Sequence, residues 1–282
     1  MKSSFVLEGG AMKGLFTCGV LDVFMDQGIK VDGVVGVSAG ACFGCNYISK
    51  QPGRALRYNL EYANDSRYCS VSNLIKCGDI YEPEFCYHTI PDELDPFDTD
   101  EVEKSDIAFY TVSTDVETGK AHYHRFKHGD RKDLEWMRAS ASMPLAANMV
   151  EIDGRRFLDG GVADSVPLRF MQHKGYDKNI VILTKPRDYI KGKNNLLPLI
   201  QIKYRKYPNL VKAIATRHIV YNRNSEYIKE QEKLGNCFVI APDKDLPVGH
   251  ISHDRDVLLD VYDIGYEKAL QVVDDVKKYL AQ

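Results

Sequence analysis

A serine between small residues is the first group in the chain whose surroundings could support catalysis. Its segment reads Gly36, Val37, Ser38, Ala39 and Gly40. Residues 34–37 are typical of a buried strand, and residues 39–48 are typical of a helix rich in small side chains. A serine on a sharp strand-to-helix turn needs such small neighbours, and the N–H groups and dipole of the helix N-terminus favour its alkoxide. The pattern predicts that Ser38 is a nucleophile.

A glycine-rich segment follows the first apolar run, at residues 5–7, and leads into helical spacing. It reads Gly9, Gly10, Ala11, Met12, Lys13 and Gly14. A dinucleotide-binding fingerprint would need a glycine at position 11, and the Gly-Lys-Ser/Thr ending of a phosphate-binding loop is absent. Two interpretations remain. Either the segment is a plain turn, or the N–H groups of Gly9, Gly10 and Ala11 form an oxyanion hole for Ser38.

An aspartate followed by two glycines comes after the strand-like residues 156–158. These three residues are Asp159, Gly160 and Gly161. Glycines after a strand end leave the aspartate carboxylate on an open loop, where it could serve as the base that a serine hydrolase needs. The alternative is an Asp-Gly turn that joins a hairpin.

Taken together, the three segments resemble the patatin-like phospholipase family. That family has a Gly-rich oxyanion loop at its first strand, G-x-S-x-G on the next strand, and D-G-[GA] far downstream, and this chain has all three in that order. Residues 7–14 are similar to bacterial members. Residues 139–154 and Pro167 also resemble the family, so the resemblance covers residues 4–185.

The resemblance implies a Ser-Asp dyad without histidine, in which Ser38 is the nucleophile and Asp159 the base. An aspartate in water has a pKa of about 3.9, so burial must raise the pKa of Asp159 for it to act as a base. The family usually has a third glycine where this chain has Ala11, which keeps an N–H but does not adopt positive φ cheaply. Lys13 matches a basic position of the family and is expected to fix the loop or to aid anionic substrates.

The histidines leave a second catalytic arrangement open. His250 or His253 follows Asp159 in the chain, so a Ser-Asp-His triad of the α/β-hydrolase type is possible in chain order. In that fold several strands precede the nucleophile, whereas one precedes it here. His122 and His124 alternate on a strand and are expected at the surface.

The cysteines favour a structural role. Cys42 and Cys45 fall within the helix after Ser38 and are expected in the core rather than in a redox pair. The seven cysteines are odd in number and scattered, which does not suggest a disulfide framework. The sequence predicts no metal site and no other cofactor.

The elements alternate between strands and helices, which is typical of a parallel sheet covered by helices. The expected strands are 5–7, 34–37, 107–113, 122–126, 156–158, 180–183 and 237–240. The expected helices are 13–27, 39–48, 132–140, 165–174, 209–233 and 254–280. We expect an α/β protein of three-layer α/β/α, patatin-like fold with a largely parallel central sheet. No linker divides it, so residues 1–282 are expected to form one domain, with the motifs in 4–185 and further helices and a strand in 186–282.

The charge is nearly balanced overall but unevenly distributed. The 37 basic and 40 acidic residues give a net charge of −3, which disfavours nucleic acid as a partner. Residues 79–106 hold eleven acidic residues and one lysine, whereas residues 185–233 hold twelve basic and four acidic residues among several tyrosines. These stretches are either solvated faces or, for the basic one, a surface for peripheral contact with an anionic membrane.

The N-terminal apolar run is too short for a signal peptide, and no apolar stretch is long enough to span a membrane. A cytoplasmic location, with peripheral membrane contact, is expected. The sequence does not indicate an oligomeric state.

The sequence predicts a serine carboxylic-ester hydrolase that acts on lipid or acyl-ester substrates, of phospholipase A, lysophospholipase or esterase type. One alternative is a catalytically weak regulatory protein that binds lipids or acyl groups. The other is the α/β-hydrolase with a triad.

Overall fold

The fold is built on one eight-stranded sheet, and the computed structural model describes residues 1–282. The strands are β1 (Ser3–Leu7), β2 (Gly33–Val37), β3 (Ala108–Asp115), β4 (Ala121–Phe126), β5 (Val150–Ile152), β6 (Arg155–Asp159), β7 (Lys178–Ile182) and β8 (Cys237–Ile240). Their order is β5-β6-β3-β2-β1-β7-β8, with β4 paired to β3. Strands β3, β2, β1, β7 and β8 are mutually parallel, and β4, β5 and β6 form an antiparallel edge. The expected largely parallel sheet is confirmed.

Ten α-helices surround the sheet. They are α1 (Leu15–Asp26), α2 (Ala39–Ile48), α3 (Arg54–Glu61), α4 (Val71–Lys76), α5 (Thr99–Lys104), α6 (Arg131–Ala141), α7 (Leu168–His173), α8 (Leu197–Lys203), α9 (Pro208–Lys233) and α10 (Arg255–Ala281). A π-helix spans Phe85–Leu94, and 3₁₀ turns lie at Ala11–Gly14 and Gly160–Val162.

Alternating strand residues divide the core into two faces. Phe5 and Leu7 of β1 belong to a large apolar cluster shared with α1, α2 and α10. Val6, which lies between them, belongs to a second cluster that includes Leu168 of α7 and Tyr221 of α9. Because successive side chains of a strand point to opposite faces, apolar residues at every position mean that both faces are covered. The three-layer α/β/α architecture is therefore confirmed.

Several elements differ from the expectation. The helix expected at 13–27 starts as the 3₁₀ turn Ala11–Gly14, and the one expected at 165–174 is limited to Leu168–His173 because Pro167 precedes it. Residues 54–104, for which no element was expected, contain α3, α4, the π-helix and α5. The side chains of His122 and His124 are half-buried, stacked on Trp136, rather than at the surface.

Candidate active site

The register of β3 brings Ser38 and Asp159 together. Val37, the last residue of β2, pairs with Val112 of β3. The next residue of β3, Ser113, pairs with Asp159, the last residue of β6. Strand β3 therefore pairs with β2 up to the end of β2 and, beyond that point, with β6. Two residues from distant parts of the chain thus lie side by side at this edge of the sheet, and both are almost completely buried.

Ser38 lies on a strained turn at the start of α2. Its backbone has φ 54° and ψ −124°, a conformation that non-glycine residues rarely adopt. Such strain persists only where the surrounding structure holds it, and it is common at functional sites. Gly36 and Gly40 flank this turn, and Gly14 lies against Ala39. The strand, the strained serine and the helix after it have the backbone geometry that a nucleophile elbow requires.

The end of α6 holds both partners in place. The Ser38 N–H donates to Ser140 Oγ at 2.9 Å. The Asp159 N–H donates to the carbonyl oxygen of Ser142 at 2.8 Å. Residues 139–144 resemble the family in sequence, but the roles of Ser140 and Ser142 follow only from the structure.

The glycine-rich loop after β1 lies directly against the serine. A Cβ atom at Gly9 would lie 2.8 Å from the carbonyl oxygen of Val37 and 2.9 Å from Ser38 Cβ. The N–H groups of Gly9, Gly10 and Ala11 donate to no acceptor within the protein. Ala11 has φ +49°, so it adopts the conformation that a glycine would adopt more easily. Free N–H groups beside a serine could hold an oxyanion.

The loop after β6 sets the environment of Asp159. Its Oδ1 accepts a hydrogen bond from the Gly161 N–H at 2.7 Å. A Cβ atom at Gly160 would lie 2.1 Å from the carbonyl oxygen of Val112, so glycine is required there for the loop to lie on β3. Arg217 of α9 donates to the carbonyl oxygen of Gly161. Nothing in the sequence points to this role of Arg217.

Burial raises the pKa of Asp159 above its ordinary value, because the charged form loses its hydration. The Arg217 guanidinium, the Ser38 hydroxyl, the Gly161 N–H and the Lys191 ammonium all oppose that rise in pKa. A carboxyl with a raised pKa is a stronger base than an aspartate in water.

An apolar cavity that opens to solvent begins at Ser38. Seventeen of its twenty lining residues are hydrophobic, including Met12, Phe43, Tyr58, Phe97 and Met143. Arg54 is the one charged residue in the lining, and its guanidinium already bonds to Asn46 Oδ1 and to the Asp95 carbonyl oxygen. A hydrocarbon chain fits such a lining.

Cys42 and Cys45 do not form a disulfide. Burial raises the pKa of each thiol to about 12, so neither is a reactive thiolate near neutral pH.

Of the two histidines of the alternative triad, only His253 has a hydrogen-bond partner in the structure. His253 Nδ1 lies 2.6 Å from the carbonyl oxygen of Ala63. His250 is exposed, and burial of part of its ring together with nearby lysines lowers its pKa. Neither histidine forms a hydrogen bond to Ser38 or to Asp159.

The fold and the motifs define the family to which the chain belongs. Residues 5–171, more than half of the chain, match the Patatin-like phospholipase family, so the protein is a member of it. Residues 207–281 match a domain of unknown function, DUF6363.

Relatives match somewhat less than two thirds of the chain. The chain is 28% identical over 188 residues to the uncharacterized protein YjjU of Escherichia coli (strain K12), covering 65% of this chain and 52% of that protein. It is 28% identical over 190 residues to the lysophospholipase nte1 of Emericella nidulans, covering 61% of this chain and 11% of that protein. The chain therefore spans about half or less of the length of these relatives.

Among solved structures, VipD from Legionella pneumophila is similar with a TM-score of 0.45 and 12% identity. The match covers 97% of this chain and 67% of that one. Separately, no helix of the chain combines the length and the apolar composition needed to cross a bilayer.

Proposed function

We propose that the protein is a serine acyl hydrolase that cleaves carboxylic esters of lipids, with Ser38 as nucleophile and Asp159 as base. The observation that carries the proposal is the register of β3, which aligns the strained Ser38 with Asp159 at the mouth of an apolar cavity. Membership in the Patatin-like phospholipase family supports a lipid hydrolase in general.

In the first half-reaction, Ser38 Oγ attacks the ester carbonyl carbon while its proton passes to the Asp159 carboxylate. The carbonyl oxygen becomes an oxyanion, which accepts hydrogen bonds from the free N–H groups of Gly9, Gly10 and Ala11. Each such donor contributes about 3–4 kcal/mol to the transition state. The tetrahedral intermediate then collapses, and the departing alkoxide takes the proton from Asp159 to leave as the alcohol.

In the second half-reaction, Asp159 removes a proton from water, whose oxygen attacks the acyl-Ser38 ester. The same N–H groups hold the second oxyanion. Collapse of this intermediate breaks the bond to Ser38 Oγ, which regains its proton from Asp159, and the fatty acid leaves. The buried carboxyl is suited to this alternation because its raised pKa lets it both accept and return a proton.

The dyad is tested by Ser38→Ala and Asp159→Asn. Each is expected to lower hydrolysis of a p-nitrophenyl ester by about 10³-fold or more. Asp164→Asn is the matched control, because Asp164 is a half-buried aspartate whose pKa is also raised by desolvation but which bonds to Tyr123 and Asn224 instead. Unchanged turnover in either dyad variant would refute its assigned role.

A fluorophosphonate probe separates this enzyme from a lipid-binding regulator. Covalent labelling that is lost in Ser38→Ala supports the hydrolase. Lipid binding without labelling would support the regulator instead.

We further propose that residues 190–206 contact an anionic membrane. Four apolar side chains of this segment face solvent: Ile190 is 78% exposed, Ile202 69%, Leu199 55% and Leu196 52%. Exposed basic residues lie among them, namely Lys193, Lys203, Arg205 and Lys206. Apolar side chains flanked by lysine and arginine are suited to the interface of an anionic bilayer.

Vesicles of phosphatidylglycerol and phosphatidylcholine test this contact by co-sedimentation. Leu199→Glu and Ile202→Glu are expected to weaken binding, and high salt is expected to weaken it further. Leu270→Glu is the control, because Leu270 is 49% exposed but lies on α10 of the opposite layer. Binding that is equal in all three variants would refute the proposal.

We also propose that residues 1–282 fold as one unit. Strand β8 and helix α10 come from the region of the second family match, yet β8 pairs with β7 and α10 packs along α1. A single cooperative unfolding transition, reported equally by fluorescence and circular dichroism, is expected.

A further inference from the structure

Two lysines beyond β7 lie half-buried near the catalytic loops without a carboxylate partner. No carboxylate oxygen lies within 4.0 Å of the ammonium of Lys185 or Lys191. Lys185 Nζ lies 5.1 Å from the ring centre of Tyr189, and Lys191 Nζ lies 5.0 Å from that of Tyr221. Aromatic faces attract cations but do not neutralise them. The two ammonium groups are therefore available to an anion.

Two further cations complete the group. Lys13, from the glycine-rich loop, is buried and reaches Asp245 at 3.8 Å. Arg217 forms no ion pair and uses its Nε to bond the carbonyl oxygen of Gly161. We call Lys13, Lys185, Lys191 and Arg217 the cation cluster.

The cation cluster is costly to assemble. Burial, followed by the adjacent Lys13 side chain, lowers the pKa of Lys185 to about 8. Burial, followed by the Arg217 guanidinium, lowers the pKa of Lys191 to about 8. Like charges held together out of water are unfavourable for folding, and such groups in a cleft are typical of functional sites.

The acidic groups near the cation cluster are already engaged. Glu8 is buried and accepts hydrogen bonds from Tyr221 Oη at 2.6 Å and from the Thr184 N–H at 2.7 Å. Asp159 bonds to Gly161, and Asp245 is exposed beside Lys13. The four cations outnumber these three carboxylates. Glu8 acts on both Lys185 and Lys191 by raising the pKa of each, but it forms no ion pair within 4.0 Å with either.

The tyrosines beside the two lysines and the side chains that line the apolar cavity lie on opposite faces of the sheet. Tyr189 and Tyr221, which flank the lysines, pack with the α7–α9 face of the sheet. Phe43, Tyr58 and Phe97, which line the cavity, pack with the α1–α2–α10 face. None of the four cations lines the cavity. An ester held at Ser38 would thus direct one end to hydrocarbon and the other end to positive charge.

We propose that Lys185 and Lys191, with Lys13 and Arg217, bind the phosphate of the substrate's head group while the acyl chain occupies the cavity. This inference rests on the proposed hydrolase and narrows its substrates to phosphate-bearing lipids. A phosphate offers several acceptor oxygens and up to two negative charges, which matches several convergent donors better than a single carboxylate does.

Binding to the inactive Ser38→Ala chain tests the proposal without turnover. The probes are lysophosphatidic acid, monoacylglycerol with the same acyl chain, and glycerol 3-phosphate. The two lipids are kept below their critical micelle concentrations, and the dissociation constant of each probe is measured by calorimetry. Lysophosphatidic acid is expected to bind more tightly than either of the others, by about tenfold or more. It alone has both an acyl chain for the cavity and a phosphate for the cation cluster. Equal binding of monoacylglycerol would overturn the proposal. Glycerol 3-phosphate binding as tightly as the lipid would also overturn it, in favour of a small soluble phosphate.

Neutral variants locate the effect. Lys185→Gln with Lys191→Gln is expected to weaken binding of lysophosphatidic acid by about tenfold or more and to leave monoacylglycerol unchanged. Lys212→Gln is the control, because Lys212 is an exposed lysine of α9 outside the cation cluster. A loss that is equal for both lipids would overturn the proposal.

Turnover separates failure of the phosphate site from failure of the hydrolase. In the active chain, the double variant is expected to lower kcat/KM for lysophosphatidic acid about tenfold more than kcat/KM for a p-nitrophenyl ester, because only the first substrate carries a phosphate. Suppose that the unaltered chain hydrolyses neither substrate, but that the double variant still binds lysophosphatidic acid more weakly than the unaltered chain. That result would refute the hydrolase and support the phosphate site.

Discussion

The two sides of Ser38 differ in chemistry and in the part of the chain that builds them. The cavity side is apolar and is lined by residues 11–143, all within the region that matches the Patatin-like phospholipase family. The opposite side is basic, and three of its four cations, Lys185, Lys191 and Arg217, lie beyond that region. On the proposed mechanism, the part that matches the family would supply the reaction and the acyl site, and the remainder of the chain would supply most of what meets the other end of the ester.

The glycine-rich loop contributes Ala11 to the cavity and Lys13 to the cation cluster, so a change there has the largest expected effect. Gly9→Ala places a Cβ atom 2.8 Å from the Val37 carbonyl oxygen and 2.9 Å from Ser38 Cβ. The loop must move away from the serine, and kcat is expected to fall by about 10²–10³-fold for phosphate-bearing and phosphate-free esters alike.

Gly192→Ala is the matched control, because a Cβ atom at Gly192 meets no atom within 4 Å. Its activity is expected to equal that of the unaltered chain. A Gly9→Ala chain that keeps full activity would show that the loop does not need to approach Ser38.

How far the site could be predicted from sequence also differs between the two sides. Ser38, Asp159 and the glycine loop belong to short segments whose residue types report local backbone geometry, so patterns suffice to single them out. The pairing of Ser38 with Asp159 through β3 is long-range, and the sequence implied it through the resemblance alone. The parallel pairing of β1 with β2 was within reach, because a helix connects their two short apolar runs.

The basic side could not be predicted, because its members come from separate elements. Lys13 precedes α1, Lys185 follows β7, and Arg217 lies in the middle of α9. In the sequence they are four of the 37 basic residues, and only burial distinguishes them from solvated ones.

The helices of residues 54–104 could not be predicted either. They carry Pro91 and many acidic residues, and tertiary packing overrides their weak local pattern.

The second prediction affects the cavity side alone. Ala141→Leu adds apolar bulk to the lining near the end of α6. The value of kcat/KM for long-chain esters is expected to fall about tenfold, because the acyl chain must share the space with the new side chain. The value for short-chain esters is expected to stay the same. A series of p-nitrophenyl esters of increasing chain length measures this. Equal losses at all lengths would indicate damage to the dyad instead of a filled acyl site.

The third prediction affects the basic side through its charge. Arg217 opposes the raised pKa of Asp159, so Arg217→Gln is expected to raise that pKa further. Asp159 acts as a base when deprotonated, so the acidic limb of kcat/KM should move to higher pH. Arg217→Lys retains the charge, and its acidic limb should stay near that of the unaltered chain. A limb that stays in place in Arg217→Gln would show that the charge of Arg217 does not act on the base.

The smallest effect is expected at Ala11, where the loop meets the cavity. Its φ of +49° costs a non-glycine residue about 1–2 kcal/mol. Ala11→Gly removes that strain but makes the unfolded chain more flexible, which costs roughly 0.5–1 kcal/mol. The free energy of unfolding should therefore rise by about 1 kcal/mol or less, with activity within about twofold, because the N–H remains. Ala11→Val, whose branched side chain disfavours positive φ more strongly, should lose stability and activity together. Equal urea midpoints for Val and Gly at this position would show that the loop relaxes away from positive φ in solution.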